Sequence, residues 1–184
     1  MGAGHTFFHP VQQADFQNLP EGPHYQLINN ELIFTPSPFE IHQLVLGNLF
    51  ILLTAFVRQQ RLGVVRIAPL DVYLDENNVV QPDLLFVSES RRHIIEKQVL
   101  GAPDFVVEVL SRSTENIDRG AKRELYARHG VREYWIIDPE KRQVETYLLD
   151  KEVFNLKQIY PYSATVASEV LEGFEVEVAG LFEE

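Results

Sequence analysis

The chain has no cysteine, which removes disulfide staples, thiolate nucleophiles and zinc–thiolate centres together. Its opening, MGAGHTFFHP, lacks a basic segment followed by a long apolar one, so no secretory leader is read and a cytoplasmic location is expected. Long hydrophobic runs are missing too. The longest uncharged apolar stretch, Leu44 to Val57, is shorter than the ~18 residues of a membrane span, and no membrane association is expected. A basic surplus is also absent: 27 Asp and Glu against 16 Lys and Arg leave a net charge of −11. Phosphate contacts supply most nonspecific affinity for nucleic acid, so this balance argues against a tight autonomous nucleic-acid binder. No repeat, low-complexity tract or internal linker interrupts the chain.

What is present fits one domain. The 184 residues, 45% of them hydrophobic, suffice for a substantial core. Residues 1–23 read as an arm with a short helix near Val11 to Asn18, residues 24–160 as the core, and 161–184 as a C-terminal docking segment. Tyr25 to Ile28 and Glu31 to Thr35 flank Asn29-Asn30, a pair that tolerates positive φ and suits a tight hairpin. Ile41, Leu44, Val45, Leu49, Leu52, Leu53 and Phe56 recur at helical spacing, giving a buried helix from near Pro38. Strands are expected at Val64 to Ala68, Asp71 to Asp75, Tyr134 to Ile137 and Gln143 to Leu149, with an edge strand at Val153 to Ile159. Ser168 to Phe182 reads as strand or irregular tail. Tyr134 and Trp135, inside an apolar strand, read as core. The expected class is α/β (α+β), a mixed central β-sheet flanked by helices with an N-terminal β-hairpin.

The informative residues lie between Gln81 and Asp138. Phe105 to Leu110 is a nearly continuous apolar run, the pattern of a strand covered on both faces, yet it contains Glu108. A buried carboxylate needs a metal, a cation or hydrogen bonds to offset its desolvation. From this strand alone, a core ion pair with a nearby arginine or a place at the strand's exposed end stands level with a functional role. A second acid, Asp83, follows Pro82 and borders the apolar Leu84 to Val87. It reads either as a turn aspartate or as an acid held at the start of a buried strand. Two acids on neighbouring strands suit a hard divalent cation such as magnesium, which takes oxygen ligands and keeps several waters.

Ser111 to Glu115 reads as a capping sequence for a helix from Ile117 to His129, ended by Gly130. Ile117, Ala121 and Leu125 form its packing stripe, and Asp118, Lys122 and Tyr126 a second stripe beside it. Lys122 is there an exposed partner of Asp118 or, if the helix covers Glu108, an ammonium aimed at the metal site.

The strings VVQPDLLFVS, GAPDFVVEVLSRST, a lysine four residues before tyrosine, and GVREYWIIDPEKRQVETYLL, preceded by YQLINNELIFTPSP and HQ, resemble the Uma-two family. That family is described as endonucleases within the PD-(D/E)xK restriction-endonuclease-like superfamily. The resemblance runs from about Tyr25 to Leu149. It implies a restriction-endonuclease-like core and a metal-dependent endonuclease that hydrolyses DNA phosphodiester bonds with Mg2+, or Mn2+ in its place. It further implies that Asp83 and Glu108 are the motif acids, that Lys122 is the basic residue, and that the Val109 carbonyl is a further metal ligand. Leu110 occupies the position where the superfamily's simplest pattern has lysine, so the resemblance implies a lysine moved to the following helix. An acid from the first structural element often joins such a site, which makes Glu31 a fourth catalytic candidate beside its plainer reading as the first residue of a strand. His42 is a weaker candidate.

Arg112, Arg119, Lys122, Arg123, Arg128 and Arg132 gather around the site helix, and Arg58, Arg61 and Arg66 form a second group. Set against the acidic total, they lead to an expectation of weak or partner-dependent DNA binding. A homodimer through the hairpin and long helix is a further expectation. The competing class is a noncatalytic or regulatory interaction module that keeps the nuclease-like fold.

Overall fold

The computed structural model describes residues 11–19 and 25–184. Most of the predicted arm lies outside them, and its short helix is α1, Gln13–Phe16. The hairpin forms as the Asn pair dictates: β1 (Tyr25–Ile28) and β2 (Glu31–Phe34) join through Asn29 and Asn30 at φ 51° and 67°. Helix α2 (Glu40–Gln60) follows and closes on Arg61 in the left-handed conformation. Next come β3 (Gly63–Ile67), β4 (Val72–Asp75), β5 (Asn78–Val80), β6 (Leu84–Ser88), β7 (Val99–Leu100) and β8 (Phe105–Val109). The site helix is built from α3 (Glu115–Ile117), a π-helical turn (Asp118–Lys122) and α4 (Arg123–Arg128). Strands β9 (Glu133–Asp138), β10 (Gln143–Asp150), β11 (Val153–Pro161), β12 (Thr165–Ala167) and β13 (Glu175–Glu177) complete the chain, with a short 3-10 turn at Ala179–Phe182.

The strands divide between two main sheets. One has the order β2-β1-β5-β4-β7 and the other β11-β10-β9-β8-β6-β3, while β12 and β13 form a ribbon. In the larger sheet β8 and β9 run parallel and the other pairs antiparallel, so the sheet is mixed as expected. Pro82 stands between β5 of one sheet and β6 of the other, and the apolar run that is continuous in sequence is divided there. Proline has no N–H to give a ladder, which makes it a suitable residue at such a crossing.

Alternation along the central strands sends side chains to two cores. Leu84, Phe86, Val107 and Val109 face α2 through Val45, Leu49 and Leu53. Leu85, Val87 and Val106 face the other way, with Leu125, Tyr126 and Ala127 of α4. Glu108 follows the parity of Val106 and therefore lies under the site helix. Tyr134 and Trp135 are fully buried, as their strand context predicts.

Two expectations change. Although its uncharged run is short, α2 is 21 residues long with a mean hydropathy of 1.6, long and apolar enough to cross a membrane by length and composition. Its Val45, Leu49 and Leu53 pack into the core against the sheet, whereas Ile41 and Leu52, expected in the buried stripe, are exposed. The C-terminal segment is more than a tail. Leu171, Phe174, Val176, Val178 and Leu181 belong to the core beneath α2, and Asn48 Nδ2 donates to the carbonyls of Leu181 and Glu183 at 3.2 and 2.7 Å. A buried carboxylate fastens the segment: Glu133 accepts from Ser168 Oγ at 2.6 Å, the amides of Glu169 and Val170 at 3.0 and 2.8 Å, and Trp135 Nε1 at 2.7 Å.

Candidate active site

Asp83 is fixed at the crossing between the sheets. Its carbonyl accepts from the Ala68 amide at 2.9 Å, and its Oδ2 accepts from the Val109 amide at 2.8 Å. The same Oδ2 faces His42 Nε2 at 3.1 Å, so the first turns of α2 also reach the site. Asp83 N–H points to Glu108 Oε2 at 3.4 Å. The two acids therefore stand side by side on adjacent strands.

Glu108 is buried, and its Oε1 accepts from Lys122 Nζ at 2.9 Å and from the Tyr126 hydroxyl at 2.7 Å. Lys122 is equally buried and also lies 3.1 Å from Asp118 Oδ1, an ion pair that lacks hydrogen-bond alignment. The π turn has a bearing here, because Asp118 and Lys122 mark its two ends and Tyr126 follows in the next turn. The polar stripe Asp118, Lys122, Tyr126 thus covers Glu108 while Leu125 packs into the core. Such widened turns are rare and recur at functional sites. Tyr134 supports this stretch by donating to the Asp118 carbonyl at 3.1 Å.

Asp83, Glu108, Asp118 and Lys122 line a cavity of about 60 Å³ together with His42, Ser111, Thr114, Gln26 and Thr35. Three carboxylates and one ammonium leave two negative charges in excess if all are ionised. Burial, reinforced by the Asp118 and Asp83 charges, pushes Glu108 up to about 8 against the opposing pull of Lys122. For Lys122, burial favours the neutral amine, but Asp118, Glu108 and Asp83 outweigh it and hold the ammonium above its usual range. Burial, followed by the Glu108 charge, raises the Tyr126 and Tyr134 hydroxyls, so both remain donors at neutral pH.

Of the residues expected from sequence, Asp83, Glu108, Lys122 and Val109 meet here, and Glu31 does not. Glu31 is exposed at the turn end of the hairpin, opposite Ile28. The hairpin reaches the cavity with its other end: Gln26 Nε2 donates to Thr35 Oγ1 at 3.0 Å and Gln26 Oε1 accepts from the Gln81 amide at 2.9 Å. Asp118 and Tyr126, marked in the sequence only by their spacing from Lys122, also contact the Lys122–Glu108 pair, and His42, the weaker candidate, lies against Asp83. Part of the basic surface expected along the site helix is neutralised, while Arg128 and Arg132 remain exposed. Arg119 is held by Glu145 through two bonds of 2.7 and 2.8 Å and by Glu115 at 2.9 Å, and Arg112 pairs with Glu140 at 2.7 Å. Arg123 lies over the Tyr147 ring.

Mixed sheets flanked by helices, as here, are the architecture of a nuclease-like fold. The chain belongs to the family Uma2, described as "Putative restriction endonuclease", whose model matches residues 13–179. The fold is also that of a crystal structure from Anabaena variabilis ATCC 29413 described as "a putative nuclease belonging to DUF820". The two share 22% identity at a TM-score of 0.81, over 94% of this chain and 98% of that one. No curated protein matches the chain.

Proposed function

We propose that the protein is a metal-dependent endonuclease that hydrolyses DNA phosphodiester bonds at Asp83, Glu108 and Lys122, and that it works in the cytoplasm. The observation that carries the reading is the convergence of two acids and a buried lysine from separate elements in one polar cavity. Family membership supports a nuclease-like activity.

The donor set fits a divalent cation. No group of three or more His, Asp or Glu side chains among the described residues is gathered as a ready cluster. Magnesium requires less, since one or two carboxylates with waters suffice. With Glu108 ionised, the cavity's excess of two negative charges would match the two positive charges of one such ion. Asp83, Glu108 and the Val109 carbonyl would hold Mg2+, or Mn2+ in its place. When bound, the ion would polarise a phosphoryl oxygen and acidify a water.

The chain's own residues supply the rest. The Val109 amide and His42 fix the Asp83 carboxylate from two sides. Lys122 and Tyr126 both engage Oε1 of Glu108, which leaves Oε2 toward Asp83. The Lys122 ammonium can orient an attacking water and offset charge developing on the phosphate. Asp118 keeps that ammonium paired when Glu108 turns to another partner. Exposed Ile51 and Leu52 on α2 support a homodimer that would bring two sites to one duplex, and light scattering that finds only monomer removes that part.

The test is calorimetric titration of Mg2+ and Mn2+ into the wild type, Asp83→Asn and Glu108→Gln, with nicking of supercoiled plasmid followed on the same samples. Binding and nicking in the wild type that vanish in both variants are expected. A wild type that binds no metal and cuts nothing would leave the interaction-module reading in its place.

A further inference from the structure

An arginine-lined groove runs along the outer edge of β3, and we infer that it seats the phosphodiester backbone of the nucleic acid leading into the site. The inference rests on the nuclease reading above. The groove encloses about 460 Å³ between the second half of α2 and β3, and Arg58, Arg66 and Arg92 line it. No acidic side chain among the described residues joins them there. On a chain of net charge −11 this is a local reversal of sign, whereas the cavity at Asp83 and Glu108 is lined by acids.

The arginines are available. Arg58 makes no ion pair or side-chain hydrogen bond among the described residues. Arg66 donates only to the neighbouring Val65 carbonyl, at 2.9 Å. Arg92 faces Glu89 at 3.4 Å in an exposed pair, which contributes little and exchanges readily. This distinguishes them from Arg119, which Glu145 and Glu115 already hold. Guanidinium groups bind phosphate oxygens through paired N–H donors, so three of them along one groove match a polyanionic backbone.

Position links the groove to the chemistry. In the β3–β6 register Arg66 lies opposite Leu85, two residues along the chain from Asp83. The groove ends at Ile67, and the next residue, Ala68, bonds the Asp83 carbonyl at 2.9 Å. Arg66 is two residues, ~7 Å, up the strand from that bond. β3 is the terminal strand of its sheet, so no further strand among the described residues blocks the approach.

The experiment is fluorescence anisotropy of a labelled DNA duplex with the full chain across a salt series, comparing wild type with Arg58→Ala/Arg66→Ala/Arg92→Ala. Arg128→Ala/Arg132→Ala serves as the control for exposed charge elsewhere. Each lost phosphate contact lowers the slope of log affinity against log salt by ~0.9, so a drop of about 2.7 is expected in the triple variant. Binding should weaken by roughly tenfold or more. Divalent-ion titration should be unchanged, and the lysine version of the triple variant should recover most of the slope. Wild-type DNA binding with an unaltered slope in the triple variant overturns the groove assignment alone, as does an equal loss in the control. A wild type that binds metal but no duplex overturns the groove, and one that binds neither overturns the nuclease reading with it.

Discussion

Replacing Lys122 with methionine tests the buried charge arrangement most directly. Nζ lies 2.9 Å from Glu108 Oε1 and 3.1 Å from Asp118 Oδ1, with all three residues buried. At an effective dielectric constant of about 20, each contact is worth roughly 5–6 kcal/mol of gross attraction. Desolvating the ammonium takes back several kcal/mol of that sum. Methionine fills much of the same volume but leaves the acids without a cation. The expected loss is about 3–5 kcal/mol, the cost of breaking a buried pair from one side. For a chain of this size that lowers Tm by ~6–20 °C. The loss should also depend on pH. Below about 8 Glu108 holds its proton in the wild type, and the variant forfeits mainly the Asp118 contact. Above it the wild type can ionise Glu108 beside the ammonium, whereas the variant must retain the proton, so the difference widens. Adding Asp118→Asn to Lys122→Met should return part of the stability at every pH. Urea unfolding of the wild type, single and double variants on both sides of pH 8 measures this. A loss below ~1 kcal/mol, or one that does not change with pH, refutes the reasoning.

The remaining predictions concern neighbouring groups. Because the folded state raises Glu108 from 4.5 to about 8, it keeps a proton that the unfolded chain has released; this group's stabilisation is complete below 4.5 and is lost as pH rises through about 8. The slope should approach ~1.4 kcal/mol per pH unit inside that window, and Glu108→Gln should flatten it in unfolding curves taken across the range. Tyr126→Phe removes the 2.7 Å donor to Glu108 and should cost about 1.5–3 kcal/mol by urea unfolding, a loss near zero meaning that the hydroxyl is idle. Glu31→Ala should change stability by less than ~0.5 kcal/mol and leave plasmid nicking unaltered. A tenfold loss of nicking there would return Glu31 to the site.

The parts of the fold set by local chemistry were readable from the residues. Asn29-Asn30 forced the hairpin, helical spacing gave α2, and the apolar runs gave β6, β8 and β9. Asp83 and Glu108 were legible because an acid in or beside a buried strand requires an explanation. Lys122 depended on resemblance, since only the packing of the helix decides whether its polar stripe meets water or Glu108. The same uncertainty hid Asp118 and Tyr126. Glu31 stands apart from the cavity because a hairpin presents two ends, and the end that lines the cavity is the one with Gln26 and Thr35. Residues 161–184 read as a docking segment, but the surface they dock on was not legible: Val176, Val178 and Leu181 join the core beneath α2 across more than a hundred residues of chain, a separation that local periodicity does not encode.

The helix-borne lysine separates the two halves of the site mechanically. Asp83 and Glu108 are held by a ladder of backbone bonds, whereas Lys122 rides on a helix seated against Tyr134, Tyr147 and Phe154 by side-chain contact. Deleting one residue from its widened turn would rotate the preceding Asp118 by about 100° relative to Tyr126. Small changes in how that helix sits on the aromatic layer would move the ammonium while leaving the acids in place, so substitutions well outside the cavity can tune the position of the lysine without altering the carboxylates.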